Sequence, residues 1–275
     1  MEFTYDFLVF ASVVVFFSAL VQATIGFGFL MIATPLLAMM TDMKTAVIYV
    51  AIPTLLLNIS ALVSEGNFLQ AVKKFYPLAL IGMIGSAIGT QILIYSSSEL
   101  FKLLLAFSIF LYLFIQKFKI QMHWIREKKI ISMVVFGLFA GIIGGLTNVM
   151  ASILIIYSLE SKHTKKEVIQ STNLCFLFGK VIQIVLFTLH GSFNQELLTI
   201  SFSSLVVVAV AMFIGLKVKD KIPQESYKKV VKIVLISIVF IATFSCGPKR
   251  YGCNPNRRCE VKEHPKTLLL QQKTA

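Results

Sequence analysis

The chain has 275 residues, of which 57% are hydrophobic and only 14% charged, and 26 Lys+Arg against 13 Asp+Glu give it a formal charge of +13. Soluble domains carry roughly a quarter of their residues as charges, so this balance excludes an ordinary soluble globular protein. The basic residues lie between long apolar runs, where they read as membrane-topology and lipid-headgroup signals and not as a nucleic-acid surface.

In chain order, the start from Met1 to Asp6 is acidic and lacks the positive region of a cleaved signal. The apolar run behind it is too long for a signal core and is expected to stay. Charged breaks then divide the chain into eight apolar segments, at approximately 7–40, 45–63, 75–95, 100–115, 130–159, 168–189, 197–216 and 230–246. About 20 helical residues cross a bilayer. Segments two, three, six and seven fit single spans, and four and eight are slightly short. Segments one and five are overlong, since 34 residues in one straight helix would reach roughly 50 Å. The first carries Gly26, Gly28 and Pro35, and the fifth carries Gly141, Gly144, Gly145, Thr147 and Asn148. Glycine weakens a helix and proline removes a donor, so both segments are predicted to be broken or re-entrant.

The two halves repeat. Gly144-Gly145 aligns with Ile25-Gly26, and Gly191-Ser192-Phe193 with Gly66-Asn67-Phe68. Ile88-Gly89 matches Ile214-Gly215, and Phe101-Lys102 matches Tyr227-Lys228, each pair 126 residues apart. The predicted fold is therefore an all-α polytopic membrane protein built from two four-segment repeats. These are residues 1–115 and 130–246, joined by a basic loop at 116–129 and followed by a polar tail at 247–275. Folding segments one and five back on themselves collects sixteen basic loop residues on one face and two on the other, with the tail's seven placed on the poorer face. That arrangement predicts inverted-topology repeats, with both termini outside the cytoplasm.

No acidic residue lies inside an apolar run, which disfavours a buried carboxylate relay for protons or sodium. Lys180 is the exceptional charge. Placed mid-segment, it would cost a few kcal/mol in lipid and so is expected to face a cavity or a partner. Asn173, Phe176, Lys180 and Gln183 share one helical face. In the first repeat, Pro53, Thr54 and Asn58 place polar groups at a similar depth. Half-helix N-termini at the breaks would add unpaired N–H groups and partial positive charge. With Thr24, Gly26, Gly28, Thr147 and Asn148 around them, two such termini meeting at the midplane would suit a small oxyanion. No cofactor, metal site or catalytic constellation is expected.

The stretch from Ala19 to Gly28, followed by Pro35-Leu36-Leu37 and echoed by Gly141 to Thr147, resembles the sulfite exporter TauE/SafE family over roughly residues 7–246. The resemblance implies a permease of the bacterial inner membrane that moves sulfur-containing anions such as sulfite or organosulfonates. Its matching positions are Gly26, Gly28 and Pro35, then Gly144 and Gly145. Two other readings stay open from the residues themselves. A membrane thiol-redox or assembly protein would need paired intramembrane cysteines, whereas Cys175 lies alone. An anion channel would show single-channel currents in place of saturable counterflow.

Overall fold

A computed structural model describes residues 5–96, 124–193 and 195–219. Segments four and eight, most of the connecting loop and the tail lie outside the described residues. What is described is helical and contains no strand. The first half supplies α1 (Tyr5–Ile25), α2 (Phe29–Met40), α3 (Met43–Ser64) and α4 (Phe68–Tyr95). A single turn, Trp124–Glu127, precedes α5 (Lys129–Thr147), α6 (Met150–Glu160), α7 (Lys165–Leu189) and α8 (Gln195–Lys219) in the second. All but α2 and α6 are long and apolar enough to cross a membrane. The chain is a polytopic all-α membrane protein.

Both overlong segments are broken. Gly26 and Gly28 take φ of 98° and 123° between α1 and α2, a region that a side chain rarely tolerates. The fifth segment breaks three residues beyond the expected Gly144-Gly145 pair. Asn148 adopts the left-handed conformation (φ 64°) and closes α5 by donating its backbone N–H to the Gly144 carbonyl. Asparagine is one of the few residues that reach this region cheaply, so it can end a helix without glycine. Gly144 and Gly145 stay helical because the room they leave is used for packing. A Cβ on Gly145 would lie 2.5 Å from the Ser86 carbonyl oxygen of α4. Pro35, likewise expected near a break, sits within α2.

Register between helices fixes their directions. Along α4 and α7, Lys74 pairs with Glu167, Ser86 Oγ donates to the Gly179 carbonyl, and Tyr95 meets His190. These two helices are parallel. Gly82 faces Gly137, Gly85 faces Gly141 and Gly89 faces Gly145, so α5 runs with them. On the other side, Phe7 stacks edge-on against Tyr49 and Gln22 bonds Asn58, making α1 parallel to α3. Tyr49 also bonds Ser204 and Lys219 pairs with Glu65, so α8 joins this set. Gln170, near the start of α7, donates to the carbonyl of Gly66 just past the end of α3. The two sets therefore run in opposite directions. Since α1 and α3 point the same way, α2 must lead the chain back between them, and α6 does the same between α5 and α7.

The outer surface suits lipid. Val9, Val13, Phe17, Ile84, Ile88, Val181, Val185, Phe202 and Phe213 are exposed, while the interior combines large apolar side chains such as Phe29, Leu57 and Phe187 with small and polar ones. Helix association in lipid gains from close packing of small side chains, and α4 against α5 is the tightest case. A Cβ on Gly85 would come within 2.3 Å of the Leu138 carbonyl oxygen, and one on Gly141 within 2.2 Å of that of Gly82. At the membrane borders, His163 packs edge-on against Phe75 and Tyr157. Burial lowers its pKa, with Glu167 opposing and Lys74 reinforcing that effect.

This packing makes a discriminating prediction. Gly85→Ala and Gly141→Ala should each destabilise the purified protein by about 1–3 kcal/mol, the usual range for overpacking. Gly82→Ala, whose Cβ would find its nearest neighbour at 3.8 Å, should be close to neutral. Thermal unfolding in detergent, followed by tryptophan or thiol-dye fluorescence, measures all three.

Candidate functional site

Two polar clusters, one at each break, meet the same face of α7. At the first, the side chain of Gln22 ties three helices together. Its Nε2 donates to Asn58 Oδ1 of α3 at 3.0 Å and to Asn173 Oδ1 of α7 at 3.3 Å. Its Oε1 accepts the backbone N–H of Phe29 at 3.0 Å, which satisfies one orphan donor at the start of α2. Asn173 Nδ2 in turn donates to the carbonyls of Gly26 and, at 2.8 Å, Ile169. Gly26 must be glycine here for a second reason, since a Cβ would lie 2.6 Å from Ile169. Asn58 Nδ2 is buried without a partner.

The second cluster centres on Lys180, which is 3% exposed. Its ammonium donates to Asn148 Oδ1 at the break and to Gln183 Oε1 one turn along α7. Asn148 Nδ2 donates to Thr34 Oγ1 of α2 at 3.0 Å, so the tip of the second hairpin touches the arm of the first. Gln183 Nε2 donates to the Gly145 carbonyl at 3.1 Å and to Thr90 Oγ1 of α4 at 3.3 Å. Among the described residues, the buried polar side chains include no Asp or Glu. The cation is thus held by amide oxygens alone. In apolar surroundings such neutral acceptors compensate a charge less than a carboxylate does.

Of the residues singled out from the sequence, Asn148, Lys180 and Gln183 form this second cluster with Gly145. Gly26, Asn58 and Asn173 belong to the first. Gly28 caps α2, and Gly144 packs on Met150. Two others stand apart. Thr24 Oγ1 bonds the Leu20 and Val21 carbonyls, and Thr147 Oγ1 the Ile143 carbonyl, each within its own helix. The half-helix starts also do not meet at one level. Gly26 sits against Ile169 and Asn173, whereas Asn148 sits against Lys180, seven residues or about 10 Å further along α7. Each hairpin reaches past the level of the other's tip, which accounts for the offset.

Sequence reasoning passed over Gln22, Thr34 and Thr90. Gln22 carried a readable signal, being a polar side chain one helical turn before a glycine inside an otherwise apolar run. Thr34 and Thr90 had none, because a mid-helix threonine can equally bond the carbonyl one turn back in its own helix, as Thr24, Thr54 and Thr147 do. Cys175, the cysteine among the described residues, is a free and fully buried thiol.

The left-handed turn at Asn148 can be separated from its side-chain bonds. Asn148→Gly removes the bonds to Lys180 and Thr34 but keeps the turn, whereas Asn148→Ala loses both. The alanine variant should therefore unfold more easily by about 1–2 kcal/mol, the cost of a Cβ in that region. Equal stability of the two variants in thermal unfolding would show that the turn is not maintained.

Among known proteins, the family model for the sulfite exporter TauE/SafE matches residues 11–242. No curated protein and no solved structure matches the chain. The family match covers α1 from its seventh residue and every later described helix, including both breaks and all of α7. The chain belongs to the sulfite exporter TauE/SafE family of membrane transporters.

Proposed function

We propose that this protein is a permease or exporter for a small sulfur oxyanion or organosulfonate, sulfite-like in size and charge, in a bacterial inner membrane. The observation that carries this reading is Lys180: a buried ammonium whose partners are two carboxamide oxygens and no carboxylate. An oxyanion that reached Nζ would replace neutral acceptors with a charged one. At about 4 Å and an effective dielectric of 20, that attraction is worth roughly 4 kcal/mol. The gain helps to offset the dehydration of the anion and sets the sign of the preferred substrate. Asn148, Gln183 and Thr90 supply orienting groups. Gln22, Asn58 and Asn173 continue a polar path along α7 towards the end where α3 finishes.

The family match supports transport of sulfur-related anions, and the helix directions support an inverted repeat. Equivalent helices α1 and α5 run oppositely, and so do α3 and α7, the arrangement that lets one half mirror the other across the membrane. In this reading the face holding Lys73, Lys74, Lys128, Lys129, Lys162, Lys165, Lys166, Lys217 and Lys219 is cytoplasmic by the positive-inside rule. Lys44 is on the opposite face, at the start of α3. Alternating access would come from the two hairpins, the tip of the second contacting the arm of the first through Asn148 and Thr34.

Transport in proteoliposomes tests the reading. Lys180→Met should reduce sulfite flux to that of protein-free vesicles while the protein still purifies as a monodisperse species. Asn148→Asp should be nearly as damaging, because it gives Lys180 an internal carboxylate worth the same roughly 4 kcal/mol as the substrate. Undiminished, saturable sulfite counterflow in both variants would rule out Lys180 as the anion site.

A further inference from the structure

The amides at the first break are only partly satisfied. Asn58 is 1% exposed, and its Nδ2 has no hydrogen-bond partner among the described residues. The other half of the same amide is bonded, since Asn58 Oδ1 accepts from Gln22 Nε2 at 3.0 Å. Two carboxamides so placed can close a ring, because each carries both a donor and an acceptor. Here one leg of that ring is made. The other is missing, and Gln22 Oε1 accepts instead from the backbone N–H of Phe29 at 3.0 Å.

That bond fastens the start of α2. The Gln22 backbone also ends α1, its carbonyl accepting the Gly26 N–H at 2.7 Å, so one residue closes the first arm of the hairpin and holds the second. Asn173 holds the Gly26 side of the tip through the Gly26 carbonyl. Between the two holds, Gly26 and Gly28 flank Phe27 at φ 98° and 123°. Glycine can turn through this region without the steric barrier that a Cβ raises. The same side chains have a second arrangement open to them. If Gln22 Oε1 turned from the Phe29 N–H to Asn58 Nδ2, the ring between the amides would close and the Phe29 N–H would be left unpaired. Each arrangement leaves one buried donor unsatisfied, so the count of hydrogen bonds does not choose between them. A small bias is enough to switch states so balanced.

We propose, resting on the anion-transport reading, that Gln22 and Asn58 form a two-position latch on the first hairpin. It is fastened, as in this structure, when Gln22 bonds Phe29, and released when Gln22 pairs with Asn58. Release frees the start of α2 while Asn173 still holds Gly26, so the tip swings about its two glycines. This supplies the movable part that alternating access requires. The second break is built differently. Both atoms of the Asn148 amide and both of the Gln183 amide have partners there. No orphaned amide donor offers the second hairpin an alternative, and the latch belongs to the first alone.

Hydrogen–deuterium exchange on the purified full-length protein in lipid nanodiscs tests the latch without a substrate. Asn58→Leu keeps the size of the side chain and removes Nδ2, while Gln22 retains its bonds to Phe29 and Asn173. The released position then has nothing to pair with. Peptides from the first tip, residues 23–34, should exchange about tenfold more slowly than in the wild type, and those from the second tip, residues 145–152, should be unchanged. Gln22→Met removes the fastening itself and should speed exchange of the first tip. A purely structural role for Asn58 gives the opposite sign, since loss of a bonded amide loosens its surroundings. Unchanged or faster exchange of the first tip in Asn58→Leu therefore overturns the latch. Asn58→Val carries the same prediction should the leucine variant fail to purify. Sulfite counterflow in proteoliposomes connects the latch to transport. A slowed tip with reduced counterflow supports it, whereas a slowed tip with undiminished counterflow overturns its gating role. A slowed tip in a protein whose wild type moves no sulfite would sink the anion reading and leave the latch standing.

Discussion

A positive charge without a counter-charge, buried in a membrane domain, is the constraint on which the rest of this structure depends. An ammonium at mid-helix in lipid costs about 2.5–3.5 kcal/mol even on insertion scales, so Lys180 requires acceptors from elsewhere in the fold. They come from the helix break at Asn148 and from Gln183. Each of those amides is anchored in turn, Asn148 to Thr34 and Gln183 to Thr90 and Gly145. A single charge thereby ties together α2, α4, α5 and α7. The arrangement holds the lysine in place and still leaves its charge unneutralised, as an anion site requires.

The two halves do not treat their breaks alike. In the first half, Gln22 performs the bridging that Lys180 performs in the second, but with a neutral amide. The interfaces differ as well. Helices α4 and α5 meet through six glycines, of which Gly85, Gly89, Gly141 and Gly145 leave no room for a Cβ, while on the opposite side the corresponding α1 and α8 pair has a single glycine contact, Gly215 against Ala23. A close-packed interface resists displacement because it cannot deform continuously, and α4 against α5 is packed in this way.

Much of this was legible in the sequence, and for identifiable reasons. Overlong apolar runs cannot be straight spans, so segments one and five announced their breaks through length alone. Lys180 stood out because lipid makes any charge conspicuous. The exact place of the second break was less accessible. Gly144 and Gly145 looked like breakers, but in lipid a helical glycine is as useful for packing as for bending, and the choice depended on Ser86 and Thr90 of a distant helix. Thr24 and Thr147, adjacent to the breaks, satisfy their hydroxyls within their own turns, which local spacing does not distinguish from an outward-facing donor. Gln22 lay in plain view. Its importance comes from Asn58 and Asn173, which sit 36 and 151 residues away.

The central claim is that Lys180 provides the charge that binds a sulfur oxyanion. Equilibrium binding of radiolabelled sulfite to purified, detergent-solubilised protein examines it most directly, because it needs neither a gradient nor a known direction of transport. The account predicts saturable binding to the wild-type chain that is displaced by sulfoacetate and lost in Lys180→Met. Binding of equal affinity to that variant would contradict it.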